Sequence, residues 1–396
     1  MPIAKKIETQ LSQSSWIRKM FEEGGRLKAI YGADKVYDFT LGNPTDEPPQ
    51  AFRQALQEIA THPVPGMHRY MSNAGYAETR GAIAEVLRED SGEDVQADHV
   101  IMTVGAGGGL NVIFKALLDP EDEVIISAPF FVEYKFYITN HGGTPVVVQS
   151  REDFQLDLEA IGAAITEKTK AIIINSPNNP TGVVYSGKSL DQLHQLVEEK
   201  SAQYGRTIYV VSDEPYAKIV YDQVKVPPVL GHIRNSIVVT SHSKDLALPG
   251  ERIGYIAVSP RIDQVALLVD GLVFCNRILG FVNAPALMQR LVAGIQRESV
   301  DIQAYQEKRD LLYNHLTSIG FEMVKPEGAF YLFPKSPLEK DIDFVEAAQK
   351  HNILVVPGSG FGQPGYFRIA YCVDKAMIER SLPAFTALAK ELGLPK

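Results

Sequence analysis

Cysteine is scarce: the 396 residues include only Cys275 and Cys372, far apart and each in an apolar stretch. Two such thiols exclude a disulfide framework and suit a reducing, cytoplasmic compartment. Basic charge is also short, with 39 Lys and Arg against 48 Asp and Glu and a net charge of −9. Binding along a nucleic-acid backbone wants a positive surface, so a broad nucleic-acid footprint is excluded. No run approaches the ~20 apolar residues of a membrane span. The N-terminal MPIAKKIETQLSQSSW sets Lys5 and Lys6 before no apolar stretch, unlike a secretory signal. With 45% hydrophobic and 22% charged residues, the expectation is a soluble globular chain that buries a large core without staples.

From residue 98 onward, short apolar runs alternate with helical patterns. HVIMTV, DEVIISA, TPVVVQS, KAIIINS, TIYVVSD and SIVVTS are strand candidates. Their Ile/Val content suits strands buried on both faces, as in a parallel sheet covered by helices. Between them, Leu190, Leu193, Leu196 and Val197 share one helical face, and Gly205 stops that helix. Strand, helix and strand in repeated order predict an α/β fold with a mostly parallel sheet. The end of the chain changes character. A polar-rich helix pattern over 297–320 leads into the short strand-like GAFYLFP, NILVVPG and GYFRIAYCV, and Pro383 is placed to kink the last helix. A large domain over 46–289 is expected, with a smaller α+β domain built from 1–45 and 290–396.

Ligands of open α/β sheets gather beyond the carboxyl ends of the strands. AIIIN runs into SPNNPTG, IYVVS into DEPY, and IVVT into SHSK. Three successive strand candidates thus deliver Asn179, Asp213 with Tyr216, and Lys244 toward one rim. Taken singly, each has an ordinary account. N-P-T-G is good turn chemistry, an Asp after a strand is a common helix cap, and a lysine at a turn is usually solvated. TVGAGGGLN follows a strand and opens a helix, which favours an anion at the helix N-terminus. It is not a dinucleotide fingerprint, because from Gly105 or Gly107 the third glycine would fall at Leu110 or Val112.

Together LGNP, RYMSNAG, NNPTG, SDEPY, SHSK with Arg252, and FRIAY run in order along nearly the whole chain. In this they resemble the fold-type I, class I pyridoxal-phosphate aminotransferases related to aspartate aminotransferase. The resemblance implies a large domain with a mostly parallel sheet sandwiched by helices and a smaller α+β domain. It implies pyridoxal 5'-phosphate as cofactor, with Lys244 forming the Schiff base and moving the proton. Asp213 would pair with the ring nitrogen, and Tyr216 and Asn179 would donate to the phenolic oxygen. Ala106, Gly107, Ser241 and Arg252 would hold the phosphate, Gly107 offering only its backbone N–H. Phe131, with Phe130 beside it, would stack on the ring. Arg368 would clamp the substrate α-carboxylate, with Gly42 bringing backbone close to it. Tyr70 resembles a tyrosine that reaches the phosphate from the other subunit, so a homodimer is implied. An amino acid and a 2-oxo acid, 2-oxoglutarate first, are the implied substrates.

The distal end of the substrate is left open. Arg277 lies in the region where acidic-substrate enzymes recruit a second cation, but it reads more readily as an exposed loop or interface arginine. Arg18 and Lys19 on the first helix are weaker candidates. A carbon–sulfur β-lyase on the same fold uses the same lysine and aspartate, so it remains a rival from sequence. A non-catalytic cofactor-binding regulator is a more distant one.

Overall fold

The computed structural model describes residues 2–13 and 16–395, the side chains of 12–22 excepted. Arg18 and Lys19 therefore lie outside the described side chains. The strands, in chain order, are β1 Tyr37–Asp38, β2 Val100–Thr103, β3 Glu123–Ala128, β4 Thr144–Gln149, β5 Thr169–Asn175, β6 Tyr209–Asp213, β7 Ser236–Ser241 and β8 Gly254–Val258. The short strands β9 Tyr331–Leu332, β10 Ile353–Leu354, β11 Val356–Pro357 and β12 Phe367–Ala370 follow.

Seven strands form the central sheet in the order β2-β8-β7-β6-β5-β3-β4. The pairings among β4, β3, β5, β6 and β7 are parallel, while β8 runs antiparallel to both β7 and β2. The sheet is thus mostly parallel, with one strand in GYIAV that the sequence pattern missed. Successive residues of each strand enter opposite cores, as a period of two requires. Val210 faces the core built with the helices Ala77–Ser91, Gly187–Tyr204 and Ala286–Ala293. Val211 faces the one built with Gly105–Leu117 and Val265–Ile278. Each fully buried Val or Ile contributes about 1.5–3 kcal/mol, so a one-residue slip of register would be very costly. The edge strand β4 differs from the expected two-sided burial: within it only Val148 is buried, because no strand covers its outer side.

The helix Gly187–Tyr204 ends as its pattern predicts. The Ser186 side chain accepts from the Ser189 N–H at its start, and Gly205 takes the left-handed conformation at its end. A second core collects Tyr305, Leu312, Phe344, Phe367, Ile369, Ile378 and Phe385, with Phe39 and Tyr216 inserted from elsewhere in the chain. Here β12 pairs antiparallel with β9 and β11, and β1 pairs parallel with β10. The helix Lys375–Glu391 continues through Pro383. Its buried Ile378, Phe385 and Leu388 flank the proline on both sides and offset its cost.

Candidate active site

Strands β5, β6 and β7 are neighbours in the sheet, so their carboxyl ends meet at one rim. The register places Asn175 opposite Asp213. Asn175 ties the two strand ends together: its Nδ2 donates to the Asp213 carbonyl at 2.7 Å, and its Oδ1 accepts from the Asn179 N–H at 2.7 Å. β7 ends at Ser241 and turns directly into a short helix, His242–Asp245, that carries Lys244. That turn is pinned from below, where Asp245 Oδ2 meets His242 Nδ1 at 3.2 Å and Lys218 Nζ at 3.0 Å.

A cavity of about 360 Å³ opens above this rim. Lys244, Asp213, Tyr216, Asn179, Ser241, Arg252, Ala106, Gly107, Phe131, Gly42 and Arg368 all line it. The structure therefore brings together the site candidates of the sequence, except Phe130 and those bearing on a partner subunit or a distal carboxylate. Tyr70 is 89% exposed and stands apart beside His68 and Phe281. Arg277 is exposed near the end of the helix Val265–Ile278, where it lies over the Phe274 ring, so it sits on a helix rather than in a loop. Phe130 points away into the core, where it packs under Gly362.

At the back of the cavity Asp213 is buried, and its Oδ2 accepts a hydrogen bond from the Tyr134 hydroxyl at 2.6 Å. Burial lifts its carboxyl to about 7, even though that hydrogen bond pulls the other way. The Tyr134 phenol, itself buried beside that carboxylate, is pushed well up and stays a donor. Asp213 Oδ1 is buried with no partner. Such an atom is costly unless a donor or cation meets it.

Lys244 Nζ donates to the Gly42 carbonyl at 2.5 Å. Burial lowers its amine to about 8; the nearby Arg368 and Arg252 act in the same direction and the Cys372 thiol opposes them. An amine so placed is partly neutral near pH 7–8, as a nucleophile and proton carrier must be. Arg368 comes from β12, in the second core. Its Nη1 donates to Asn179 Oδ1 at 3.0 Å and its Nη2 to the Thr40 carbonyl at 2.6 Å, while Nε is buried and unpartnered. The rings of Tyr331 and Phe361 each lie 4.7 Å from its guanidinium. The carbonyls of residues 40 and 42 thus hold both cations.

At the other end, Gly105 begins its helix with a φ of +71°, and a Cβ there would lie 2.7 Å from Arg252 Nη2. The bare backbone leaves room for the guanidinium over the helix N-terminus, and backbone N–H groups and a cation converge there. Gly42 has a similar constraint, because a Cβ would fall 2.1 Å from the Tyr331 hydroxyl. That hydroxyl shares a 2.7 Å hydrogen bond with Tyr216.

Tyr134, Tyr137, Tyr331, Asn175 and Glu133 also line the cavity and were missed from sequence. Only Asn175 carried a signal, as the last residue of an apolar strand. The others lie in segments whose approach to the rim is decided by tertiary packing.

A mostly parallel sheet with a lysine at its carboxyl rim, crossed by a second layer supplying a buried arginine, is the fold type I transferase architecture. The sequence profile described as aminotransferase class I and II matches residues 34–385, and the chain belongs to this family. It is 35% identical over 357 residues to a probable aspartate aminotransferase of Methanocaldococcus jannaschii, spanning 86% of this chain and 90% of the relative. A probable aspartate/prephenate aminotransferase of Aquifex aeolicus is 33% identical over 372 residues, spanning 90% and 91%. The crystal structure of an aminotransferase from Eubacterium rectale superposes with a TM-score of 0.95 at 43% identity, covering 99% of each chain.

Proposed function

We propose that this aminotransferase uses pyridoxal 5'-phosphate, held in the cavity by Lys244 at its aldehyde carbon, Asp213 at its ring nitrogen and Arg252, Ser241 and the 106–107 backbone at its phosphate. The observation that carries this is the buried, unpartnered Asp213 Oδ1 facing the same cavity as a lysine whose amine is lowered to about 8. When bound, the cofactor supplies an electron sink for the carbanion formed at the substrate α-carbon. Asp213 keeps the ring nitrogen charged, and Tyr134 holds Asp213 in place. Tyr216 and Asn179 donate toward the phenolic oxygen, and Phe131 packs on the ring.

Arg368 takes the α-carboxylate with its fork, exchanging the Thr40 carbonyl for the incoming anion. Fixing that end orients the bond to the α-hydrogen across the ring plane. Lys244 Nζ is the group that would take and hold the substrate's α-proton. The amino group passes to the enzyme and then to a 2-oxo acid, for which 2-oxoglutarate is the expectation from the resemblance. The names of the relatives place aspartate among the donors to be tried first.

Two further assignments belong to this reading. The large domain spans 46–289 and the small one 1–45 with 290–396, supported by the pairing of β1 with β10 and by the separate second core. The working unit is a cytoplasmic homodimer in which Tyr70 reaches the partner's phosphate, supported by its 89% exposure and by two buried free cysteines. Among the described residues no helix is long and apolar enough to cross a membrane.

A panel of donors incubated with pyruvate or 2-oxoglutarate tests the activity. Stoichiometric alanine or glutamate is expected, together with a visible absorbance that Lys244→Ala abolishes. Release of ammonia and a 2-oxo acid without any acceptor would instead mark an eliminating enzyme.

A further inference from the structure

Resting on that reading, each charged side chain lining the cavity has a partner in the working enzyme, apart from Glu133. Arg252 faces the phosphate, Asp213 the ring nitrogen and Arg368 the α-carboxylate, while Lys244 is the covalent anchor. Glu133 lies two residues beyond Phe131 and lines the same cavity. Its Oε2 is buried with no hydrogen-bond partner, and among the described residues no cation comes within ion-pair distance of it. Its charge is felt by the hydroxyls of Tyr331 and Tyr137, and Arg368 acts on it in turn. Tyr331 and Arg368 stand at the carboxylate clamp and Tyr137 stands by Gly107 at the phosphate end, so Glu133 borders the clamp from between them. Burial raises its carboxyl above the ordinary range, while a hydrogen bond from its own backbone N–H and, less strongly, Arg368 hold it down.

The rest of the lining sharpens the point. Besides Lys244, Arg252 and Arg368, no described Lys, Arg or His borders the cavity. A distal carboxylate on the substrate would therefore meet an unneutralised acid from this chain rather than a cation. A side chain that donates hydrogen bonds would give Oε2 the partner it lacks.

We propose that Glu133 is a specificity-determining residue that reads the donor's side chain, favouring an α-amino acid with a cationic or otherwise hydrogen-bond-donating end over aspartate or glutamate.

The test uses the cofactor-loaded enzyme, Glu133→Gln and Glu133→Ala. The donor half-reaction, followed by visible absorbance without acceptor, is measured with ornithine, aspartate and alanine. Calorimetry compares two acids of similar length that lack an α-amino group, 5-aminopentanoate and glutarate. A charge-assisted hydrogen bond and the repulsion it replaces together favour ornithine over aspartate about 10–100-fold in kcat/KM, and both variants should erase most of that ratio. Alanine should change less than about 3-fold, since the Arg368 clamp is untouched. 5-Aminopentanoate should outbind glutarate only in the parent protein. A parent preference for aspartate and glutarate, or a ratio unmoved in both variants, overturns the proposal. Failure of the aminotransferase reading is distinct: no donor, alanine included, would convert the loaded enzyme, and calorimetry would still decide the role of Glu133.

Discussion

Replacing Tyr134 by Phe removes one oxygen at the back of the cavity and should expose how the charge on Asp213 is held. The Tyr134 hydroxyl donates to Asp213 Oδ2 at 2.6 Å, and both groups are buried. In the protein without cofactor, burial lifts that carboxyl from 3.8 to about 7, with the hydrogen bond pulling it down. Between those values the unfolded chain has released the proton while the folded chain keeps it. Stability therefore falls as pH rises through that window and levels off above it. Three units at about 1.36 kcal/mol each put the cost of the ionised carboxylate at about 4 kcal/mol. A hydrogen bond to a charged group is worth about 1.5–3 kcal/mol and one to a neutral group about 1, so losing it should raise Asp213 by a further ~0.5–1.5 units.

Urea unfolding of the cofactor-free protein at about pH 5.5 and about pH 9 measures this difference directly. At the lower pH Asp213 is protonated in both folded forms, and Tyr134→Phe should cost about 1 kcal/mol. At the higher pH it should cost about 1.5–3 kcal/mol in all, so about 0.5–2 kcal/mol more. Glu214, which burial also lifts to about 7, is present in both proteins and cancels from the comparison. The same substitution should weaken cofactor retention, because the ring nitrogen then pairs with a less firmly held carboxylate. Equal penalties at the two pH values would refute the assigned coupling.

Arg368→Lys puts a point charge where the fork stood, so KM for amino acids should rise about 10–100-fold while cofactor affinity changes less than about 3-fold. Parallel loss of both would reject Arg368 as the carboxylate clamp. If Tyr70 serves the partner's site, mixing inactive Tyr70→Ala with inactive Lys244→Ala should recover about one quarter of parental activity, since half the dimers are hybrids with one complete site. No recovery beyond the separate proteins would place Tyr70 outside the active site.

Much of this was readable in the chain, and the reason is periodicity. The runs that become β2 to β7 are contiguous Ile/Val segments, and a strand buried between two helical layers needs no more information than that. Residues at the ends of those runs inherit the rim by geometry, which is why Asn179, Asp213, Tyr216 and Lys244 could be named before any contact was known. Arg368 was legible for a related reason: a guanidinium inside an apolar strand requires an anion or a set of acceptors, and it finds Asn179 and Thr40. The direction of β8 was not readable, because Gly254–Val258 is as apolar as its neighbours and pairing direction leaves no mark on composition.

The local pattern of this chain settles the strands β2 to β7, the helices between them, and which polar residues arrive at the sheet's carboxyl edge, but not β8. The fold alone decides which distant groups those residues meet. Tyr134 reaches Asp213 across 79 positions, and Arg368 reaches Thr40 across 328. The first contact closes within one layer of the central sheet, and the second is made where the core of β12 meets the rest of the chain. The burial that comes with them sets the charge of Asp213, the amine of Lys244 and the carboxyl of Glu133. Desolvation and Coulomb interactions depend on distance in space, and that distance exists only once the chain has closed on itself.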